Sequence, residues 1–209
     1  MTDQYNPESK AEWDDAFPNY AADRDAAIRW ARQVLTTDFV VLDTETTGLD
    51  HDDEAVSIGV VSKAGVILLN TLLCHEKPCG PRALAVHQVT WEATRGAPNI
   101  ASIYEDLLDL LTVQPVIGYN AVFDQRIIQQ TLARYGLFSI HWEANDVMGA
   151  FARFYGEWSS WHQSYTRKKL TFAASFLGLS IFGAYGAAAD ALMTLRVVEA
   201  MAGKKARGE

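Results

Sequence analysis

The segment VVLDTETTGLD, residues 40–50, decides the fold: an apolar, β-branched run ends in two carboxylates and then in a turn. With Phe39 in front, FVVLD (39–43) reads as a buried strand. Asp43 and Glu45 lie two residues apart at its end, so strand periodicity sends both side chains to one face. Thr44 points to the other face, and Gly48 supports a turn leaving the strand. Two neighbouring carboxylates repel and raise each other's pKa unless positive charge lies between them. A metal ion supplies that charge.

Working outward, residues 19–35 carry a helical pattern, with Ile28, Trp30, Ala31 and Leu35 near one another on a wheel. AVSIGVV (55–61) and VILLNTLL (66–73) read as strands, and Lys63-Ala64-Gly65 between them is a hairpin turn. The stretch CGPRALAVHQVT is irregular, with Pro81 opening a helical turn. Asn99 caps a helix running to about Thr112, and VIGY (116–119) is a short strand. Further helices are predicted over 121–135, 146–155, 170–177 and 187–201, with the aromatic stretch 156–169 left as loop. Strands first, then strands alternating with helices, predict one α/β domain: a mixed sheet flanked by helices. Residues 1–36 form an acidic N-terminal segment and leading helix, 37–203 the domain proper and 204–209 a tail.

Two later segments place acids where packing alone would not. In VIGYNAVFDQRII, Asp124 opens the helix after a short strand, and Asn120 is a candidate cap. In GAYGAAADALMTLRVV, Asp190 lies among alanines on an otherwise apolar helix, and such small neighbours let a helix approach a sheet closely. Singly, each acid has an ordinary explanation as a turn residue, a helix cap or a solvated helical Asp. Those explanations do not account for all three segments together.

The three segments resemble the three exonuclease motifs of the DEDD superfamily, within the ribonuclease-H-like fold. DTETTGL is similar to the first motif, GYNAVFD to the second and YGAAADALMT to the third. RALAVHQVT is similar to a His-containing segment of the same family, where His87 is not catalytic. The nearest branch is the proofreading epsilon-subunit and oligoribonuclease type, and the likeness runs from about Phe39 to Met201. The resemblance implies a 3′–5′ exonuclease that hydrolyses phosphodiester bonds to mononucleotides, on single-stranded or frayed 3′ ends of DNA or RNA. It implies that Asp43, Glu45, Asp124 and Asp190 hold two Mg²⁺ ions, with Mn²⁺ able to substitute, and that those ions clamp the attacking and leaving oxygens. All-oxygen ligands suit such hard cations better than zinc. Thr46, Leu49 and Asn120 match positions that contact substrate. Dimers occur among relatives, so a homodimer is open.

One departure stands out. The branch most resembled has a His five residues before the last Asp, acting as general base; here that place is Tyr185. A sister branch uses Tyr four residues before the Asp, where this chain has Gly186. Histidine with a pKa near 6.5 accepts a proton at neutral pH, whereas tyrosine near 10 stays protonated and can only orient water. The expectation is an attenuated exonuclease; the alternative is a weakened relative that binds nucleic acid or recruits a partner. Tyr185 as a packing residue is the plainer reading of that position.

Composition sets outer limits. The 209 residues suit one sizeable domain, and 49% hydrophobic content is ordinary for a globular protein. No apolar run nears the roughly 18 residues of a membrane span and the first residues are polar, so a cytoplasmic protein with no membrane contact is expected. A net charge of −8 argues against a non-enzymatic polyanion-binding module more than against a nuclease, because an acidic site that takes up divalent cations reverses its own sign. Cys74 and Cys79, even with His75, lack the second ligand pair of a structural zinc site. A protease reading from Asp43-Thr44 fails because Glu45 stands where such a motif has Gly. Finally, EWSSWHQSY (157–165) followed by Arg167, Lys168 and Lys169 is a candidate substrate wall, since aromatics stack bases and cations hold phosphates. The equal alternative is that Trp158 and Trp161 pack the loop onto the core.

Overall fold

A computed structural model describes residues 18–180 and 186–203. Its centre is a five-stranded mixed sheet, β1 (Val40–Thr46), β2 (Ala55–Ser62), β3 (Ile67–Leu72), β4 (Val116–Gly118) and β5 (Ala144–Asp146), in the order β3-β2-β1-β4-β5. β1, β2 and β3 pair antiparallel because short loops join them, and Gly65 at φ 77° turns the β2–β3 hairpin. β4 and β5 run parallel to β1, which requires helical crossovers.

Two helical layers cover the sheet. On one face Val41, Val61 and Ile117 pack against α1 (Tyr20–Val34), α6 (Val147–Tyr155), α7 (Leu170–Phe176) and α8 (Ala187–Gly203). On the other, Val40, Leu42, Ile58 and Val60 pack against α4 (Tyr104–Thr112) and α5 (Ala121–Arg134). Both faces are apolar because both are covered, so the strands read as continuous hydrophobic runs. Short helices α2 (Pro81–His87) and α3 (Trp91–Thr94) follow the hairpin. No helix among the described residues is long and apolar enough to cross a membrane.

Most of the expected elements form close to their expected ends. Asn99 caps its helix through Ser102 N at 3.0 Å, although the first turn is 3₁₀. Asp146 caps α6 through Met148 N and Gly149 N. The differences are instructive. β5 went unread because Ala-Asn-Asp has poor strand propensity; pairing with β4 imposes the conformation. Within the stretch expected as loop, Trp158–Ser159 (β6) pairs with Ser164–Tyr165 (β7) as a small hairpin. Asn120 stands at the N-cap of α5 but in the left-handed region, φ 72°, and its side chain makes no capping bond. Instead its backbone N–H donates to Asp146 Oδ1 at 2.9 Å.

Glycine at 59 decides how deeply α8 seats. A Cβ there would lie 2.2 Å from Ala188 N and 2.4 Å from Ala187 C, both backbone atoms. The start of α8 thus rests directly on β2, with Ala187, Ala188 and Ala191 buried. Gly59→Ala must push the helix outward, and overpacking of this kind costs about 1–3 kcal/mol. Thermal denaturation should show a clearly lowered Tm; an unchanged Tm would mean that α8 is not held against the strand.

Candidate active site

The seating of α8 brings a carboxylate to the end of β1. Asp43 pairs with Gly59 and Glu45 with Ser57 across the β1–β2 ladder, so both acids face the α8 layer. Asp190 sits in the first turn of α8. Carboxylate oxygens of Asp43, Glu45 and Asp190 all lie within 4.8 Å of one another.

Asp124 arrives from the opposite layer. It lies in the first turn of α5, and its Oδ1 accepts from Thr44 N at 3.0 Å and from Thr44 Oγ1 at 2.7 Å. Thr44 does point away from its two acidic neighbours, as strand periodicity requires, and there it clamps Asp124. Gly118 permits the tight passage from β4 into α5, since a Cβ would meet Ala121 and Leu42 O at 3.1–3.2 Å. Strand and helix layers therefore deliver four acids to one strand end. Tyr185, which precedes α8, lies outside the described residues.

Burial and neighbouring charge raise the pKa values across the cluster. Burial, then Asp124, Asp190 and Glu45, hold Asp43 well above the ordinary carboxylate range. Burial and Asp190 raise Glu45 to about 7. Burial carries Asp124 to about 7 as well, against the opposing hydrogen bonds from Thr44. Desolvation raises Asp190, although its side chain is exposed. Among the described residues none of the four has a salt-bridge partner. A second acidic group, Asp50, Asp52 and Asp53, differs: Lys77 Nζ lies 2.7 Å from Asp52 and 2.9 Å from Asp53.

Around the acids, the loop after β1 is firmly tied. Thr46 is buried, and its hydroxyl donates to Gly48 O at 2.7 Å. Thr47 Oγ1 donates to Asp53 Oδ1 and accepts from Glu54 N. Leu49 by contrast is 75% exposed, an apolar side chain offered to solvent. His87 is buried; its Nδ1 accepts from Val89 N at 2.9 Å, so Nε2–H donates to Thr46 O at 3.1 Å. Burial lowers its pKa, and it works as a neutral brace between α2 and the end of β1. That brace and the Thr44 clamp were not singled out from the sequence. The alternation of Thr44 with Asp43 and Glu45 was the available signal for the clamp.

The chain is similar to known exonucleases. A sequence profile of exonucleases, the RNase T family, matches residues 40–198. An uncharacterized exonuclease, CP81, of Escherichia phage 186 is 36% identical over 179 residues, covering 82% of this chain and 92% of its own. The DNA polymerase III epsilon subunit of Rickettsia conorii is 27% identical over 100 residues, 45% of this chain and 44% of that one. E. coli exonuclease I, solved with a dT13 oligonucleotide, superposes with a TM-score of 0.63 at 16% identity over 78% of this chain, which spans only 40% of that enzyme. The mixed sheet and its two helical layers are thus the ribonuclease-H-like fold of the exonucleases.

A pH dependence follows from the crowded acids. Glu45 and Asp124 have folded pKa values raised above their unfolded ones, so the folded chain holds protons that the unfolded chain has released. Stability therefore falls as pH rises from the ordinary carboxylate range through about 7. In EDTA, stability at pH 8 should be lower than at pH 5, by on the order of 1–3 kcal/mol. Asp43→Asn should raise Tm at pH 8 and flatten the slope. Thermal melts across this range check both; a slope of the opposite sign would contradict the crowding.

Proposed function

The chain belongs to the RNase T family of exonucleases, and from that premise we propose that it is a divalent-metal-dependent 3′–5′ exonuclease releasing mononucleotides from single-stranded or frayed ends. The observation that carries this reading is the convergence of four carboxylates that, among the described residues, have no salt-bridge partner. Proteins leave such a cluster unneutralised when its counter-charge is a bound cation. The donors fit: all are oxygens, three of the acids lie within 4.8 Å of one another, and Thr44 fixes the fourth. Mg²⁺ or Mn²⁺ matches such a hard-oxygen set.

Asp43, Glu45, Asp124 and Asp190 would hold two such ions, which when bound supply charge neutralisation and polarisation for phosphodiester hydrolysis. The chain's own groups do the rest. Asp43 and Glu45 are rigid because they sit within a paired strand. Asp124 is oriented by two hydrogen bonds, while Asp190 keeps solvent contact on the open side where substrate enters. Leu49, exposed in the loop after β1, packs against the terminal base; Thr46 and Asn120, at the end of β1 and the start of α5, contact the terminal nucleotide. Hydrolysis joins water oxygen to phosphorus, breaks the bond to the 3′ oxygen and leaves the proton on that oxygen. Tyr185 is assigned to orient the attacking water through its hydroxyl, without the basicity of a histidine. The exonuclease domain of this reading comprises residues 37–203, with the leading helix packed on it through Ala27, Ile28 and Ala31.

Oligonucleotides labelled at either end, incubated with Mg²⁺, Mn²⁺ or EDTA, test the reading. Mononucleotides should leave the 3′ end in either metal and not in EDTA; tight binding without turnover would instead favour a recruiting relative. Tyr185→His should raise the rate at neutral pH by roughly 10²-fold or more, within the 10²–10⁴-fold range of general-base help. An unaltered rate would show that Tyr185 is no impaired substitute for a base. Thr44→Val should weaken metal binding or activity about 10–100-fold, the usual loss when a partner orienting a metal ligand is removed. Metal titration of the variant measures it directly.

A further inference from the structure

A cleft of about 440 Å³ lies between α6 and the β6–β7 hairpin, lined by Gly149, Arg153, Trp158, Tyr165, Arg167 and Asp23 among others. Its charge is unusual for a chain carrying −8. Among the described residues neither Arg153 nor Arg167 has a hydrogen bond or an ion pair. Asp23, the carboxylate in the cleft, accepts from Tyr165 Oη at 2.6 Å. The neighbouring Lys168 is already engaged, 2.8 Å from both Glu157 oxygens and over the rings of Tyr155 and Phe172. Two guanidiniums are thus left facing a cleft walled by Trp158 and Tyr165, whose rings pack edge-on at 5.3 Å. At the hairpin tip Trp161 is 89% exposed, so the hairpin's indoles do not all pack on the core.

The cleft is built onto the support of the acids. Asp146 accepts from Asn120 N, at the start of the helix that carries Asp124, and also caps α6 at Gly149, which lines the cleft. Tyr119, one residue earlier, donates to Lys168 O at 2.8 Å and ties the basic run to the same strand end.

We infer that this cleft is a second nucleotide-binding subsite, which holds the phosphates of a single strand upstream of the 3′ end on Arg153 and Arg167, with Trp161 as a stacking platform. Planar guanidiniums match phosphate oxygens bidentately, and aromatic rings stack bases of any sequence. The inference rests on the proposed exonuclease reading and deepens it: the enzyme favours strands long enough to reach from the acids to the hairpin.

The test separates the two. Binding of a fluorescein-labelled oligothymidylate of roughly a dozen nucleotides is followed by anisotropy in Ca²⁺, and hydrolysis of thymidine 5′-p-nitrophenyl phosphate in Mg²⁺ reads the acidic centre alone. Arg153→Gln/Arg167→Gln should weaken oligonucleotide binding roughly tenfold or more and shrink the salt slope by about 1.4, at ~0.7 per lost phosphate contact. Ester hydrolysis and Tm should stay at wild-type values. Equal affinity in the double variant, an equal loss in Arg29→Gln/Arg196→Gln, or no binding by the wild type overturns the subsite. Absent ester hydrolysis with the binding difference intact overturns the enzymatic reading and leaves the subsite standing.

Discussion

Like charges crowded at one strand end set the terms for the rest of this structure. Asp43, Glu45 and Asp190 approach within 4.8 Å of one another; burial first, joined by repulsion at Asp43, Glu45 and Asp124, disfavours each as an anion where it stands. An uncompensated arrangement of this kind persists only if the surrounding fold is stable enough to impose it. The imposing parts are identifiable. Two strands fix Asp43 and Glu45, Gly59 lets α8 seat against the sheet, and Gly118 lets α5 begin close to β1. Thr44 and His87 then hold the strand end in place from the opposite layer and from α2. Each residue is a small one or a hydrogen-bonding one for a stated reason of space or direction.

The two helical layers explain why the acids come from such distant parts of the chain. A site at the end of β1 can be reached from both faces of the sheet, and the chain uses both: α8 from one face, α5 from the other. Asp124 and Asp190 thereby both reach Asp43 without sharing a layer. The proposed substrate side differs in character, with Leu49 and Asp190 exposed and the Arg153–Arg167 cleft tied to the end of β4 through Tyr119 and Lys168. Negative net charge and nucleic-acid binding are compatible in this arrangement because the relevant charges are local.

The strongly patterned parts were legible in the sequence. β1, β2 and β3, the helices at 121–134 and 187–203, and the identity of the acidic segments all followed from apolar runs, turn residues and motif spacing. What escaped depended on tertiary partners. Ala144–Asp146 becomes a strand only because β4 offers it a ladder, and Trp158–Tyr165 becomes a hairpin where composition indicates loop. Asn120 looked like a helix cap, yet its left-handed backbone directs an N–H to Asp146 instead. The convergence of Asp190 with Asp43 hinges on a missing Cβ at Gly59, one glycine among 14, and nothing in the linear pattern singles it out. Tyr185 could be located only by its spacing from Asp190.

Counting bound Mn²⁺ by electron paramagnetic resonance bears most directly on the central claim, that the four carboxylates are a cation site. Titration of the metal-free chain should quench the free Mn²⁺ signal up to about two equivalents, and Asp43→Asn should abolish that uptake while the chain remains folded. Mn²⁺ that stays free with the wild-type chain, or uptake that survives the substitution undiminished, would contradict it.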